Sequence, residues 1–240
     1  MKSLKKFFIL ASLVMFAVLS AQTNENQSKI TETRNVAPFT GIKVSSGIEV
    51  YLSMGNEHKV SVETAPHILS NVITETKNGV LSINYSTFKN RNGRRKNEQI
   101  KVYVTATWLE SIGVSLGSNL SCTQRMKLTK LTVTNSSGAY AYIDVECRDL
   151  ALYSSSGSGI KIKGSTLNLT AKASSGSDIK ARELESVNAT LEASSGSNIT
   201  VKISGEIDAR ASTGSGITYY GNVTRRTIRQ TSGGEVRRRN

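Results

Sequence analysis

Six glycines punctuate the second half of this chain at nearly constant intervals. Gly117, Gly138, Gly157, Gly176, Gly196 and Gly214 follow one another at spacings of 21, 19, 19, 20 and 18 residues. Four stand in near-identical settings: Ser155-Ser156-Gly157-Ser158, Ser174-Ser175-Gly176-Ser177, Ser194-Ser195-Gly196-Ser197 and Ser212-Thr213-Gly214-Ser215. The apolar residues keep the same period. Three positions after the glycines come Leu120, Ala141, Ile160, Ile179, Ile199 and Ile217, and two further on come Cys122, Ile143, Ile162, Ala181, Val201 and Tyr219. A period of this length marks an architecture in which each unit buries its apolar face against its neighbours in the stack.

Within a repeat, apolar and polar residues alternate, as in Ile160-Lys161-Ile162-Lys163 and Leu167-Asn168-Leu169-Thr170. Period two means strands with one buried face, not helices. Strands whose apolar columns stay in register from repeat to repeat predict an all-β chain: a single-stranded, right-handed parallel β-helix (a β-solenoid) with coils of about 20 residues. The six glycines then sit at corners, where a positive φ carries no steric penalty, and the flanking serines form hydroxyl ladders along them. An antiparallel sandwich or barrel is the rival, but it calls for Asn-Gly hairpins and does not require register across successive repeats. If everything after the first 21 residues coils, a rise of about 4.8 Å per coil gives roughly eleven coils and a length of about 50 Å. The first half is strand-rich but less regular. Ile48-Glu49-Val50-Tyr51-Leu52 and Ile100-Lys101-Val102-Tyr103-Val104 alternate cleanly, and turns fall at Met54-Gly55-Asn56 and Asn78-Gly79.

The first 21 residues read as a secretory signal peptide. Lys2, Lys5 and Lys6 precede an apolar run from Phe7 to Leu19, and Ser20, Ala21 and Gln22 form the cleavage region. That run is short of the roughly 20 residues that span a bilayer, and no cysteine follows it to carry a lipid. The expected division is a signal peptide over 1–21, a polar leader over 22–36, one β-helical domain over 37–236 and a basic tail over 237–240, with no transmembrane segment in the mature chain. Export leads to the periplasm, the cell surface or the medium. The two cysteines, Cys122 and Cys147, would meet an oxidising compartment there. They lie at different phases of the repeat, so one disulfide and two buried thiols both remain open.

Further residues carry a family resemblance. The stretch Phe39-Thr40-Gly41-Ile42-Lys43-Val44-Ser45-Ser46-Gly47-Ile48-Glu49-Val50 opens the domain; Asn78-Gly79-Val80-Leu81-Ser82-Ile83 and the serine–glycine corners follow; Ile217-Thr218-Tyr219-Tyr220-Gly221-Asn222 and Ser232-Gly233-Gly234 close it. In order and spacing these resemble the bacterial head GIN domain, the head of auto-transporter adhesins, over about residues 37–236. The resemblance implies a secreted or envelope-associated, β-helical, non-catalytic protein, and it supplies no catalytic motif. No translocator-like stretch follows the repeats, which implies a separate route to any surface.

The residues that carry chemistry are sparse. Asp144, Glu146, Asp149, Asp178, Glu206 and Asp208 scatter over different phases instead of sharing a column, although acids on neighbouring coils can reach the separation that glycoside hydrolysis needs. Calcium-binding β-rolls place an aspartate in every unit, whereas the counterparts of Asp178 are Gly159, Asn198 and Gly216. His58 and His67 have no ligand spacing, so neither a metal nor a cofactor is expected. The formal charge is +13, from 31 Lys and Arg against 18 Asp and Glu, and it is concentrated. Arg91, Arg94, Arg95 and Lys96 form a candidate anion-binding segment for an acidic glycan or other envelope polymer. Arg225, Arg226, Arg229, Arg237, Arg238 and Arg239 are read instead as guards against end-to-end aggregation of an open coil. Export and the lack of an aromatic stacking platform argue against nucleic acid. Tyr140, Tyr142, Tyr153, Tyr219 and Tyr220 can stack on sugar faces, although Tyr219 stands in a column that is apolar elsewhere and can instead close the core. The sequence thus points to an exported, non-catalytic, adhesin-like binding or scaffolding protein of the bacterial envelope that contacts glycans or other envelope polymers. The alternatives are a β-helical polysaccharide lyase or hydrolase, and a purely structural periplasmic protein.

Overall fold

In the computed structural model, which describes residues 29–86 and 98–240, the repeat becomes a stack of parallel strands. Strands β9 (Asn119–Asn135), β10 (Tyr140–Ser154), β11 (Gly159–Ala173) and β12 (Asp178–Ala193) each run most of a coil. Later coils are split: β13 (Asn198–Ile203) with β14 (Glu206–Ala211), β15 (Gly216–Tyr220) with β16 (Arg225–Gln230), and finally β17 (Glu235–Arg239). The apolar columns are in register as the period requires. Leu120, Ala141, Ile160 and Ile179 are mutual partners in adjacent strands, as are Leu131, Leu150 and Leu169, and all are buried. Each leucine and isoleucine among them contributes about 1.5–3 kcal/mol on leaving water, so the stack is its own core.

The corners hold more than a glycine. At each, two successive residues are left-handed: Ser156 has φ 54° and Gly157 φ 67°, and the same pair recurs from Ser137-Gly138 to Ser232-Gly233. With Ser158 N–H donating to Ser155 O at 3.2 Å, each corner is a type I′ turn. A left-handed serine costs about 1–2 kcal/mol, and hydrogen bonds between coils offset it. Gly157 N–H donates to Ser175 O at 3.0 Å, Gly176 N–H to Ser195 O at 3.0 Å, and the series continues to Ser232. The serine after the glycine points inward. Ser177 Oγ accepts from Ser174 N–H at 3.1 Å and donates to Ser154 O, one coil away, at 2.7 Å; Ser197 and Ser215 repeat the pattern. The hydroxyl ladder expected along the corner therefore runs inside it.

The first half supplies the start of the stack and its cover. Here lie β1 (Ile30–Arg34), β2 (Gly41–Val44), β3 (Glu49–Met54), β4 (Lys59–Thr64), the short helix α1 (Pro66–Leu69), β5 (Val72–Lys77), β6 (Val80–Tyr85), β7 (Lys101–Ala106) and β8 (Ser111–Val114). Strand β2 pairs in parallel with β8, and β3 with β9, so the corner at Ser46-Gly47 stacks on the one at Leu116-Gly117. Between them β4 turns back antiparallel on β7, and β5 and β6 form a hairpin about the left-handed pair Asn78-Gly79. These excursions consume chain without adding coils. The solenoid has about 7 turns of about 19 residues, not the eleven that uniform coiling would make. Residues 30–34, expected within a polar leader, form β1, paired antiparallel with β4 and anchored where Arg34 Nη2 donates to Leu69 O at 3.0 Å.

At the other end, Arg226 stands in the column of Ile207, and Arg238 in that of Tyr219. Two core columns thus terminate in arginine, on strands whose registered pairings among the described residues are β16 with β14 and β17 with β15. Both arginines are exposed, and charge at the open end of a core column blunts an edge that would otherwise pair with another chain. Replacing Arg226 and Arg238 together by leucine is expected to shift the protein toward larger, concentration-dependent species in sedimentation velocity; unchanged sedimentation would remove this role.

Candidate functional site: a tyrosine groove

Just beyond the corners, the first segments of β3, β9, β10, β11 and β12 lie side by side. Residues that alternate with the core point outward there in two columns. One runs Glu49, Asn119, Tyr140, Gly159, Asp178, and the other Tyr51, Ser121, Tyr142, Lys161, Lys180. Between large and small members of these columns opens a groove of about 520 Å³. It crosses the strands, so its long direction is the axis of the solenoid.

Small residues make room for the rings. A Cβ on Gly159 would lie 2.7 Å from Tyr140 Cε1, so the Tyr140 ring extends across the coil boundary over that glycine. Tyr140 is nevertheless 59% exposed. Tyr51 stacks on Tyr103 with centroids 5.3 Å apart, extending the aromatic surface onto β7. Tyr51 Oη donates to Glu49 Oε2 at 3.2 Å, and Gln99 Nε2 donates to both Glu49 oxygens at 3.1 Å. Lys161 and Lys163 hold their ammonium groups 5.5 and 5.9 Å from the centroid of Tyr142, within cation–π range. Lys161 also pairs with Glu183 at 3.4 Å, whereas Lys180 makes no ion pair among the described residues. Exposed aromatic faces beside fixed carboxylate, amide and ammonium groups make a site that can hold a flat, hydroxyl-rich ligand through both stacking and hydrogen bonds.

Of the tyrosines singled out from sequence, Tyr140 and Tyr142 line the groove. Tyr153 stands on another face, in the column of Thr134 and Lys172. Tyr219 is 1% exposed in the core, and Tyr220 lies under the Arg182 guanidinium at 4.4 Å. Tyr51 and Tyr103 were missed. Their alternation shows that they point outward, but nothing local shows that β3, whose Tyr51 pairs with Ser121 70 residues on, and β7 beside it complete the same face. The corner glycines all adopt the left-handed conformation. The basic residues Arg91, Arg94, Arg95 and Lys96 and the cleavage region Ser20, Ala21 and Gln22 lie outside the described residues.

The acids weighed as a catalytic pair are engaged elsewhere. Asp144, with its side chain 9% exposed, accepts from Arg125 Nε at 2.8 Å and pairs with Lys163 at 3.5 Å. Asp208 lies between Arg210 at 3.8 Å and Arg229 at 3.9 Å, and Asp149 accepts from Asn168 Nδ2 at 2.7 Å. Among the described residues no group of three or more His, Cys, Asp or Glu side chains is placed to hold a metal ion. His58 Nε2 is 3.1 Å from Thr107 Oγ1, and its ring packs on Phe39. His67 is exposed on α1.

Both cysteines are free and buried. Cys122 aligns with Ile143, and Cys147 with Leu128 and Thr166, so they occupy different columns. Burial pushes the Cys122 thiol from 9.0 up to about 11, and the nearby Asp144 carboxylate adds to this. The folded protein then holds this proton after the unfolded chain has lost it. Its stabilising effect is full below the unfolded value and is lost as pH rises through about 11. Urea titrations across this alkaline range are expected to show a decline of up to about 3 kcal/mol that is smaller in Cys122→Val; equal declines in both proteins would refute the assignment.

A family model for the head GIN domain, described as a putative auto-transporter adhesin, matches residues 38–223. No curated protein sequence matches the chain. Among solved structures, a putative adhesin from Bacteroides fragilis superimposes with a TM-score of 0.81 at 16% identity, covering 89% of this chain and 98% of its own. A putative adhesin from Parabacteroides merdae gives 0.68 at 13% identity, with 90% and 98% covered. A putative lipid binding protein from Parabacteroides distasonis gives 0.66 at 16% identity, also with 90% and 98% covered. At these identities the likeness is one of fold. No helix among the described residues is long and apolar enough to cross a membrane. With the family model matching most of its length, the chain belongs to the head GIN domain family.

Proposed function

We propose that this protein is an exported, non-catalytic binding module of the bacterial envelope and that it contacts glycan chains through the tyrosine groove. One observation carries the reading: Tyr51 and Tyr142 share one outward column and Tyr140 stands in the next, around an open groove that also holds hydrogen-bonding side chains. Aromatic faces take up the apolar C–H face of a sugar ring, while Asn119, Asp178 and Lys180 offer partners to its hydroxyls. The family membership supports an adhesive role, and the engagement of Asp144 and Asp149 in contacts between coils favours binding over hydrolysis.

Residues 1–21 act in this proposal as the export signal, and the basic segment with Arg91, Arg94, Arg95 and Lys96 attracts anionic partners. Two experiments test it. Protease shaving of intact cells should clip or release the protein while a periplasmic control survives; cleavage only after the outer membrane is permeabilised would end adhesion to an external surface as the role. A glycan array probed with the chain from residue 22 onward should give specific signals, and a blank array would remove the glycan reading.

A further inference from the structure

The groove has a direction and an electrical polarity, and together they narrow its ligand. It passes from β3 to β12 across parallel strands. At about 4.8 Å per strand, its length is about 19 Å. Equivalent outward positions therefore recur along it at a spacing close to that of successive rings in an extended pyranose chain. A branched or globular ligand gains nothing from this repetition, whereas a linear one meets a new pair of column residues with each ring.

The two ends differ. At the β3 end stand Glu49 and Glu63, beside Tyr51 and Tyr103. Around β11 and β12 stand Lys161, Lys163, Lys180 and Arg182. Of these, Lys161 is matched by Glu183, Lys163 is held by Asp144 and Arg182 lies on Tyr220. Lys180 is the groove cation left without an ion pair among the described residues. Neighbouring Asp178 is engaged by Asn198 Nδ2 at 3.2 Å.

Resting on the glycan reading above, we infer that the groove takes a linear acidic glycan laid along the solenoid axis, its rings on Tyr51, Tyr140 and Tyr142 and the carboxylate of a uronic acid unit at Lys180. Gly159 is a positioning residue, because its missing Cβ is what lets the Tyr140 ring lie across the coil boundary.

The test uses calorimetric titration with two series that share a backbone: neutral cello-oligosaccharides and their C6-oxidised cellouronate counterparts. Affinity in both should rise with each added ring until the groove is filled, then level off. Cellouronates should bind about fivefold more tightly than neutral chains of equal length, an advantage that weakens with added salt. Lys180→Gln should collapse the difference between the series. Gly159→Ala should weaken both series by disturbing Tyr140 while leaving the thermal midpoint near that of the parent chain. A disaccharide binding as tightly as a hexasaccharide, cellouronates binding no better than neutral chains, or Lys180→Gln weakening both series equally would overturn the inference. Binding of neither series would also overturn it, but the broader glycan reading falls only if the array is blank as well.

Discussion

Gly164→Ala is expected to cost more than about 3 kcal/mol, while Gly157→Ala, also at a left-handed glycine, costs about 1 kcal/mol. The two sites separate two reasons for needing glycine. At Gly157 φ is 67°, and an added Cβ would meet nothing within 4 Å, so an alanine there pays only for backbone conformation. At Gly164 φ is 117°, and the Cβ would stand 1.9 Å from Val145 O. That oxygen cannot retreat cheaply. Val145 is paired with Met126 on one side and with Gly164 on the other, so it is held between two strands. Relief requires prising β10 from β11, which breaks register along a strand pair 15 residues long. Denaturant titration of the two variants beside the parent chain decides the matter, and equal losses would mean that the close approach at Gly164 is not a constraint.

Tyr219→Ala is expected to cost about 3–5 kcal/mol, the range for truncating a fully buried aromatic side chain. Among the described residues Tyr219 is the largest fully buried side chain, 1% exposed. It stands between Val201 in the coil before and Arg238 in the coil after. In a stacked array each unit is held by its nearest neighbours. A cavity at this position therefore detaches the terminal strands β15, β16 and β17 before the rest. Hydrogen exchange should show protection lost over 216–239 while β9 to β11 stay protected, and Tyr219→Leu should recover much of the loss. Uniform loss of protection through the whole chain would contradict the nearest-neighbour account.

The second half of the fold was legible because a period recorded it. Columns such as Leu131, Leu150 and Leu169 need no knowledge of tertiary structure to be aligned. The corners were legible by half. Gly157 announces a positive φ, but Ser156 shares it only because the hydrogen bonds between coils hold it there, and no local preference of serine points to that. The first half was harder for a physical reason. Strand β3 finds β9 across some 70 intervening residues, and hairpins fold outside the repeat, so the count of coils came out too high. The same distance hid part of the groove. Tyr140 and Tyr142 belong to one strand and could be named together, whereas Tyr51 and Tyr103 join them only through strand pairings that alternation does not encode. The placement of Arg226 and Arg238 at the ends of core columns was readable in principle, since β16 and β17 continue the period of 18 to 21 residues.

The claim on which the account turns is that the tyrosine face, not another face of the solenoid, does the binding. It is tested most directly by measuring the affinity of one array-positive glycan for the parent chain and for two surface variants of matched stability. One is Tyr140→Ala with Tyr142→Ala; the other is Thr170→Ala with Thr190→Ala, on the face that carries Asn168 and Asn188. The account predicts at least a tenfold loss for the tyrosine pair, about 1.4 kcal/mol or more, and little change for the threonine pair. Unchanged affinity in the tyrosine pair, with loss in the threonine pair, would contradict it.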